Sequence, residues 1–134
     1  MANLFEINSR RVFSNTEANE LLPVIYRITE EAQKTVRNYV NQLKALPDKN
    51  SPKALQIEAE INVIVEKWNS KVQRLGGKPK GLWLADFDNG SGYFCWKYPE
   101  TEIGFFHGYR EGFSGRIPLS LLKDSKDENS LSPN

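Results

Sequence analysis

GLWLADFDNGSGYFCWKYPETEIGFFH (residues 81–107) is the segment that decides the fold class, because it has the composition of a small β-sheet. Its aromatic residues favour strands, and the Gly, Asn, Asp and Pro residues between them favour turns. The pattern predicts three antiparallel strands joined by two turns. The predicted strands are residues 81–87, 93–98 and 102–107.

A tight turn between the second and third predicted strands sets their pairing. It places Trp96 opposite Ile103, and the same register brings Phe94 opposite Phe105. With strict alternation, His107 shares the apolar face with Phe105 and Ile103. The other face is then expected to carry Cys95, Lys97, Glu102 and Phe106.

Residues 14–75 have the pattern of two amphipathic helices. Ser14 and Glu17 have the spacing of a capping box at the start of the first helix. Ser51 is the expected N-cap of the second helix, with Pro52 in its first position. Apolar residues then recur every three or four positions in both segments, as on one face of a helix.

The first helix contains a proline, which predicts an irregularity. Pro23 lies too far along for the first turn, so we expect either a kink or a short first helix that ends near Leu22. The loop at residues 47–50 is short and makes the two helices antiparallel neighbours. The predicted fold class is therefore α+β, a long antiparallel helical hairpin packed on a small three-stranded antiparallel β-sheet.

The chain of 134 residues has the length of one domain. We expect this domain to cover residues 1–122, with the helical hairpin at 14–75 and a β unit with a C-terminal loop at 81–122. Residues 123–134 are polar and predict a disordered tail.

Composition excludes several classes of protein. The 18 basic residues are balanced by 17 acidic ones, which argues against a nucleic-acid partner. The single cysteine excludes a disulfide framework. The sequence has no apolar run long enough to span a membrane, and its first residues lack the apolar core of a secretion signal. We expect a cytoplasmic protein with no membrane partner.

His107 is the only histidine and falls near the end of a predicted strand, where functional groups often lie. It is either a hydrogen-bonded structural residue or a general acid or base, oriented by Glu102 or Glu111. The same three residues could supply metal ligands, but their spacing does not require it, and no metal site is predicted. The sequence identifies no cofactor.

The loop around Arg110 and Arg116 contains two glycines and is a candidate anion pocket. In the alternative interpretation, Glu111 pairs with one arginine and the loop only covers the sheet. Cys95 has the sequence context of a small buried apolar residue, and its alternative role is that of a nucleophile or ligand. The candidate ligand-binding residues are His107, Arg110, Arg116 and Trp96.

Several short motifs resemble the bacterial domain-of-unknown-function family numbered 2203. The resemblance covers about residues 12 to 120, nearly the whole predicted fold. It implies a helical hairpin with a small β unit and no established activity. The motifs are Phe13-Ser14, Glu17-Ala18-Asn19, Leu21-Leu22-Pro23, Leu84-Ala85-Asp86-Phe87, Cys95-Trp96-Lys97, Glu102-Ile103, Phe106-His107, Gly112-Phe113-Ser114-Gly115-Arg116 and Pro118-Leu119.

The resemblance also implies a set of residues that act together, and one departure from it. The family usually has an acidic residue directly after the histidine, where this chain has Gly108. A mechanism that needs a carboxylate beside His107 would then require Glu111 as a substitute. The implied set is Cys95, Trp96, Glu102, His107 and Arg116.

These observations favour a non-catalytic binding or assembly module. We expect it to form a homodimer or to bind a protein partner through the helical hairpin, and to hold a small anionic ligand in the β unit. The alternative is a small enzyme in which His107 acts as general acid or base and Arg116 holds an anion.

Overall fold

The computed structural model describes residues 11–121 and has the predicted α+β class. The predicted tail at 123–134 lies outside the described residues, as does residue 122. The elements are α1 (Asn15–Ala45), α2 (Pro52–Arg74), β1 (Lys78–Gly81), β2 (Leu84–Asp88), β3 (Gly92–Lys97), β4 (Phe105–Gly108), a short 3-10 helix (Phe113–Gly115) and β5 (Ile117–Pro118).

The helix ends follow the predicted capping pattern. The Glu17 backbone N–H donates to Ser14 Oγ at 3.0 Å, and the Ser14 N–H donates to Glu17 Oε1 at 2.9 Å. Ser51 caps α2 in the same way, since its Oγ accepts from the Ala54 N–H at 3.2 Å. Gly76 follows α2 with a φ of +98°, a conformation that glycine adopts without steric cost.

The prediction that the first helix ends near Leu22 is wrong. Helix α1 runs without interruption from Asn15 to Ala45, with Pro23 inside it. Pro23 is exposed, so the Asn19 carbonyl that it leaves without an N–H donor can accept from water instead.

The two helices are joined by a buried polar contact as well as by apolar packing. Trp68 Nε1 donates to Thr29 Oγ1 at 2.7 Å, and Thr29 Oγ1 donates to the Ile25 carbonyl at 2.7 Å. The Trp68 N–H and the Thr29 hydroxyl are therefore both hydrogen-bonded, although both side chains are buried. The apolar core shared by helices and sheet comprises Phe13, Ala18, Leu22, Ile25, Trp68, Val72, Ala85, Phe87, Phe94, Trp96 and Ile103.

The sheet has five antiparallel strands, in the order β1-β2-β3-β4-β5, and the prediction of three strands is wrong. The first predicted strand, at residues 81–87, is divided at Trp83, whose φ of +71° turns the chain between β1 and β2. The Trp83 ring then packs edge-on against Trp68 at 5.1 Å between centroids. Ile117 and Pro118, in the region predicted to be a C-terminal loop, add the fifth strand beside β4.

The predicted register of β3 and β4 is wrong by one residue. Phe94 lies opposite Phe106 and Cys95 lies opposite Phe105. The connection between these strands is longer than a tight turn, and two contacts hold it in place. The Ile103 N–H donates to Asn19 Oδ1 on α1 at 2.9 Å, and Trp96 Nε1 donates to the Glu100 carbonyl at 2.7 Å.

The corrected register separates the side chains of the sheet into two faces. One face packs on the helices and carries Ala85, Phe87, Phe94 and Trp96. The opposite face, here called the far face, carries Lys78, Asp86, Tyr93, Cys95, Phe105 and His107. Neither helix of the described residues is long and apolar enough to cross a membrane.

Candidate functional site

Three polar side chains are buried together on the far face. Asp86 and His107 are each 2% exposed, and Cys95 is fully buried. They come from β2, β4 and β3, and the register places Asp86 directly beside Cys95. Strand pairing places Asp86 opposite Cys95, whereas His107 lies opposite Tyr93 and its ring reaches Asp86 across β3.

Both ring nitrogens of His107 lie against oxygen atoms. Nδ1 is 2.9 Å from the Gly108 carbonyl oxygen, and Nε2 is 3.0 Å from Asp86 Oδ2. A carbonyl only accepts, so Nδ1 carries a proton and donates it. Nε2 and Oδ2 are thus held against each other inside the protein.

The Cys95 sulfur completes the cluster. Burial and, after it, the negative charge of Asp86 raise the pKa of the Cys95 thiol from its ordinary 9.0 to about 12, although the Arg116 guanidinium acts in the opposite direction. The thiol is therefore protonated at neutral pH, which makes Cys95 a poor nucleophile in this state.

Asp86 has one oxygen that the rest of the structure does not use. Its Oδ1 atom is buried and has no hydrogen-bond partner among the described residues. A buried carboxylate oxygen without a partner costs free energy, and native structures seldom contain one without a reason.

The cluster has the donor set of a metal site. Each of the three side chains offers one ligand atom, and these atoms lie within 4.8 Å of one another. A metal-binding histidine typically donates its second N–H to a carbonyl or carboxylate, and the His107 Nδ1–H does so to Gly108. With Nδ1 bonded in this way, Nε2 faces Asp86 Oδ2 inside the cluster.

A glycine allows β3 and β4 to approach each other beside this cluster. A Cβ atom on Gly92 would lie 2.5 Å from the His107 carbonyl oxygen and 2.7 Å from the Phe106 ring. Glycine is therefore required at this position for His107 to take its place in the sheet.

Arg116 lies near the cluster but already has a carboxylate partner. Its Nη2 donates to Glu100 Oε2 at 2.7 Å and its Nη1 donates to Glu100 Oε1 at 3.2 Å. The guanidinium also lies over the rings of Phe105 and Phe113, 3.7 and 4.3 Å from their centroids. Partial burial acts to lower the Arg116 pKa, but the bonds to Glu100 outweigh it and raise that pKa.

The remaining candidate residues from the sequence are spread over the molecule. Trp96 is buried on the helix-facing side of the sheet, and Arg110 and Glu102 are exposed. Glu111 accepts the Gly108 N–H at 2.8 Å and so binds the backbone beside His107, not its ring. Of the predicted ligand-binding set, only His107 and Arg116 lie in or beside the cluster.

Sequence reasoning missed Asp86, the carboxylate that binds His107. A signal was present, because an acidic residue stands between Ala85 and Phe87 in the middle of a strand. Alternation places such a residue on the opposite face from its apolar neighbours. Recognising that face required the correct register, which also places Cys95 and His107 on it.

Tyrosine and lysine side chains border the cluster. The Tyr93 ring lies 5.6 Å from the His107 ring and 5.1 Å from the Tyr109 ring, between centroids. Lys78 Nζ donates to the Tyr93 hydroxyl at 3.2 Å. Tyr109 donates to Asp88 Oδ1 at 2.7 Å, and this bond, with some burial, raises the pKa of Tyr109 to about 12.

The fold and the cluster define a class of α+β protein, in which a helical hairpin covers one face of a sheet and a buried Asp-Cys-His group occupies the other. A family model described as "Uncharacterized conserved protein (DUF2203)" matches residues 11–119. The chain belongs to this family, as the motif resemblance predicted. No curated protein and no solved structure gives a significant match to the chain.

Proposed function

We propose that this protein is a non-catalytic binding module whose ligand is a divalent transition metal ion. The observation that carries the proposal is the convergence of one ligand atom each from Asp86, Cys95 and His107 within 4.8 Å. The buried, unpartnered Asp86 Oδ1 supports it, because a bound cation would give that oxygen a favourable charge interaction.

The identity of the donors favours zinc. Thiolate and imidazole ligands suit zinc, whereas magnesium and calcium prefer sites made of oxygen atoms alone. Three ligand side chains leave one position of a tetrahedron for a further ligand, as in zinc sites that exchange water.

Metal binding would replace the thiol proton of Cys95. The metal-free site keeps that proton at neutral pH, because burial and the charge of Asp86 raise the pKa of the thiol to about 12. A bound cation takes its place on the sulfur, so we expect metal binding at neutral pH to release the thiol proton.

The bonds of His107 count against the alternative of a general acid or base. Both ring nitrogens already have partners within the protein, Gly108 and Asp86, so neither is free for a substrate in this state. A group that exchanges protons with a substrate must lie within hydrogen-bond reach of it, directly or through one water.

The test is a titration of chelator-treated protein with Zn²⁺, followed by calorimetry and proton release in a weak buffer. We expect one ion per chain. With Co²⁺ in place of Zn²⁺, we expect the thiolate-to-cobalt charge-transfer absorption that Cys95 would produce. Loss of an outer hydrogen-bond partner lowers metal affinity about 10–100-fold, so Cys95→Ala and His107→Ala should lower it further than that.

The matched control is Glu102→Gln, which removes an exposed carboxylate outside the cluster. Its metal affinity should equal that of the unsubstituted chain within about twofold, because exposed charges far from a site have small effects. No uptake of metal, or uptake that Cys95→Ala leaves unchanged, would contradict the proposal.

We also propose that the protein forms a dimer through the exposed sides of the helical hairpin. Leu55, Ala59 and Val63 form an exposed apolar stripe on α2. Acidic residues adjoin this stripe, and exposed basic residues share one face of α1. This charge pattern supports a two-fold dimer in which α1 of one copy lies along α2 of the other. The acidic residues are Glu58 and Glu66, and the basic residues are Lys34, Arg37 and Lys44.

Light scattering during size-exclusion chromatography tests this pairing. We expect the mass of a dimer for the unsubstituted chain and the mass of a monomer for Leu55→Glu with Val63→Glu. The control is Val24→Glu, which changes an exposed apolar residue of α1 outside the stripe. A monomeric unsubstituted chain would contradict the dimer and leave the metal proposal unaffected.

A further inference from the structure

We infer that the far face also binds a small carboxylate or similar oxyanion, which Lys78 and the Tyr93 hydroxyl hold while one of its oxygens completes the metal coordination. This inference rests on the proposed metal site. It adds to that site the chemical class of the ligand that occupies the fourth position.

Lys78 is the first part of the argument. It lies directly opposite Asp86 across the β1–β2 pair, so it is on the far face and next to the cluster. Its side chain is half-buried, and no carboxylate among residues 11–121 forms an ion pair with it. A partly desolvated ammonium group without a counter-ion favours an anion at this place.

Tyr93 supplies a second donor in the same direction. Its hydroxyl accepts from Lys78 Nζ at 3.2 Å, while its own proton has no acceptor among the described residues. The two groups are held in place, because Lys78 Nζ lies 5.2 Å from the Tyr93 ring centroid and that ring packs on His107. Two preoriented donors beside one another are suited to the two oxygens of a carboxylate.

Arg116, a second cation near the cluster, is not available for this role. Arg116 directs both of its terminal nitrogens to Glu100, which neutralises its charge. The predicted anion site at Arg110 and Arg116 is therefore less favourable than one at Lys78, where the cation has no anionic partner.

The metal site and the donor pair complement each other in charge. A divalent ion bound by the thiolate of Cys95 and the carboxylate of Asp86 has a net charge of zero, and the neutral His107 ring does not change it. Lys78 then remains a cation without an ion-pair partner among residues 11–121, and a ligand with one negative charge would supply that partner. Pairing a partly buried charge is more favourable than leaving it unpaired.

The experiment uses the full chain loaded with Co²⁺ and titrated with acetate in a perchlorate background, with the cobalt absorption as the readout. We expect acetate to change the cobalt spectrum with a saturable affinity. Lys78→Met keeps the length of the side chain, removes its charge and should weaken acetate binding about tenfold or more. Tyr93→Phe keeps the ring and should weaken it about threefold to tenfold.

The matched controls are Lys80→Met, which removes an exposed lysine of β1, and the cobalt content of every variant. Lys80→Met should leave acetate affinity unchanged, and all variants should retain one cobalt per chain. The inference is overturned if cobalt binds one to one but acetate has no effect, or if Lys78→Met binds acetate as tightly as the unsubstituted chain. Either result would leave the proposed metal site intact. A chain that takes up no cobalt overturns the proposed function and this inference with it.

Discussion

The two faces of the sheet use the same strands for opposite purposes. On β2, Ala85 and Phe87 are buried against the helices, while Asp86 between them is buried on the far face. On β3, Trp96 and Cys95 are divided in the same way. Residues at the centre of both faces are thus buried, but one face buries apolar surface and the other buries a set of polar groups.

This difference shows that burial alone does not identify the role of a residue in this fold. An apolar side chain on the helix-facing side stabilises the fold by leaving water. A buried carboxylate, thiol and imidazole contribute little in that way, and the unpartnered Asp86 oxygen even reduces stability. The far face therefore has the composition of a site, which the following substitutions test.

The largest expected effect is on the helix-facing side. Phe87→Ala removes a fully buried ring that packs edge-on against Phe13 at 5.4 Å between centroids. The free energy of unfolding should fall by about 3–5 kcal/mol, measured by urea denaturation. If Phe87→Ala does not fold, the milder Phe87→Leu replaces it in the experiment. Phe87→Leu should retain full metal affinity. A loss of metal affinity in the folded Phe87→Leu chain would mean that the two faces are not separate in function.

An intermediate effect should appear on the far face at high pH in metal-free protein. The folded chain keeps the Cys95 proton up to about pH 12, whereas the unfolded chain loses it near pH 9.0. Ionisation then stabilises only the unfolded chain, so the free energy of unfolding falls by about 1.4 kcal/mol per pH unit between these values.

Cys95→Ala provides the comparison for this pH effect. It lacks the thiol, so its stability should decrease less steeply above pH 9.0 than that of the unsubstituted chain, while the two curves run parallel below it. The measurement is urea denaturation at a series of pH values with a chelator present. Parallel curves over the whole range would show that the thiol is not as strongly buried as its position in β3 indicates.

The smallest effect is expected at the edge of the far face, where solvent reaches the ion pair of Arg116 and Glu100. Glu100→Gln removes the charge of a side chain that is 25% exposed and leaves an amide oxygen for the Lys97 N–H. The loss should be about 0.5–1 kcal/mol and should shrink as salt is added. A much larger loss, or a loss of metal affinity, would show that the ion pair holds the cluster itself.

The helical half of the fold could be predicted from the sequence because its signals are local. The capping box of Ser14 and Glu17 and the Pro52 start of α2 each lie within one helical turn, and both are confirmed. The sheet was predicted less well, because its register depends on a contact between Ile103 and Asn19 that spans 84 positions. The short strand Lys78–Gly81 contains proline and glycine, the two-residue strand Ile117–Pro118 contains proline, and neither has a strand pattern.

The candidate site could be predicted only in part, because it depends on the pairing of the strands, which local sequence signals do not determine. His107 was singled out because it is the only histidine, and Arg116 because of its glycine-containing loop. Asp86 and its contact with His107 follow only from pairing β2, β3 and β4 in the correct register. A shift of one residue moves a side chain to the opposite face, and the predicted register was shifted by that amount.

The bond between Trp68 and Thr29 has a consequence for the hairpin as a whole. Apolar helix faces can slide past each other by one turn with little change in buried area, but a hydroxyl and an indole N–H meet in only one alignment. Sliding by a turn would leave the Trp68 N–H buried without its acceptor, while the Thr29 hydroxyl would keep only its bond to Ile25. This single pair therefore specifies which of several similar helix alignments the chain adopts, and it fixes the platform on which the sheet is built.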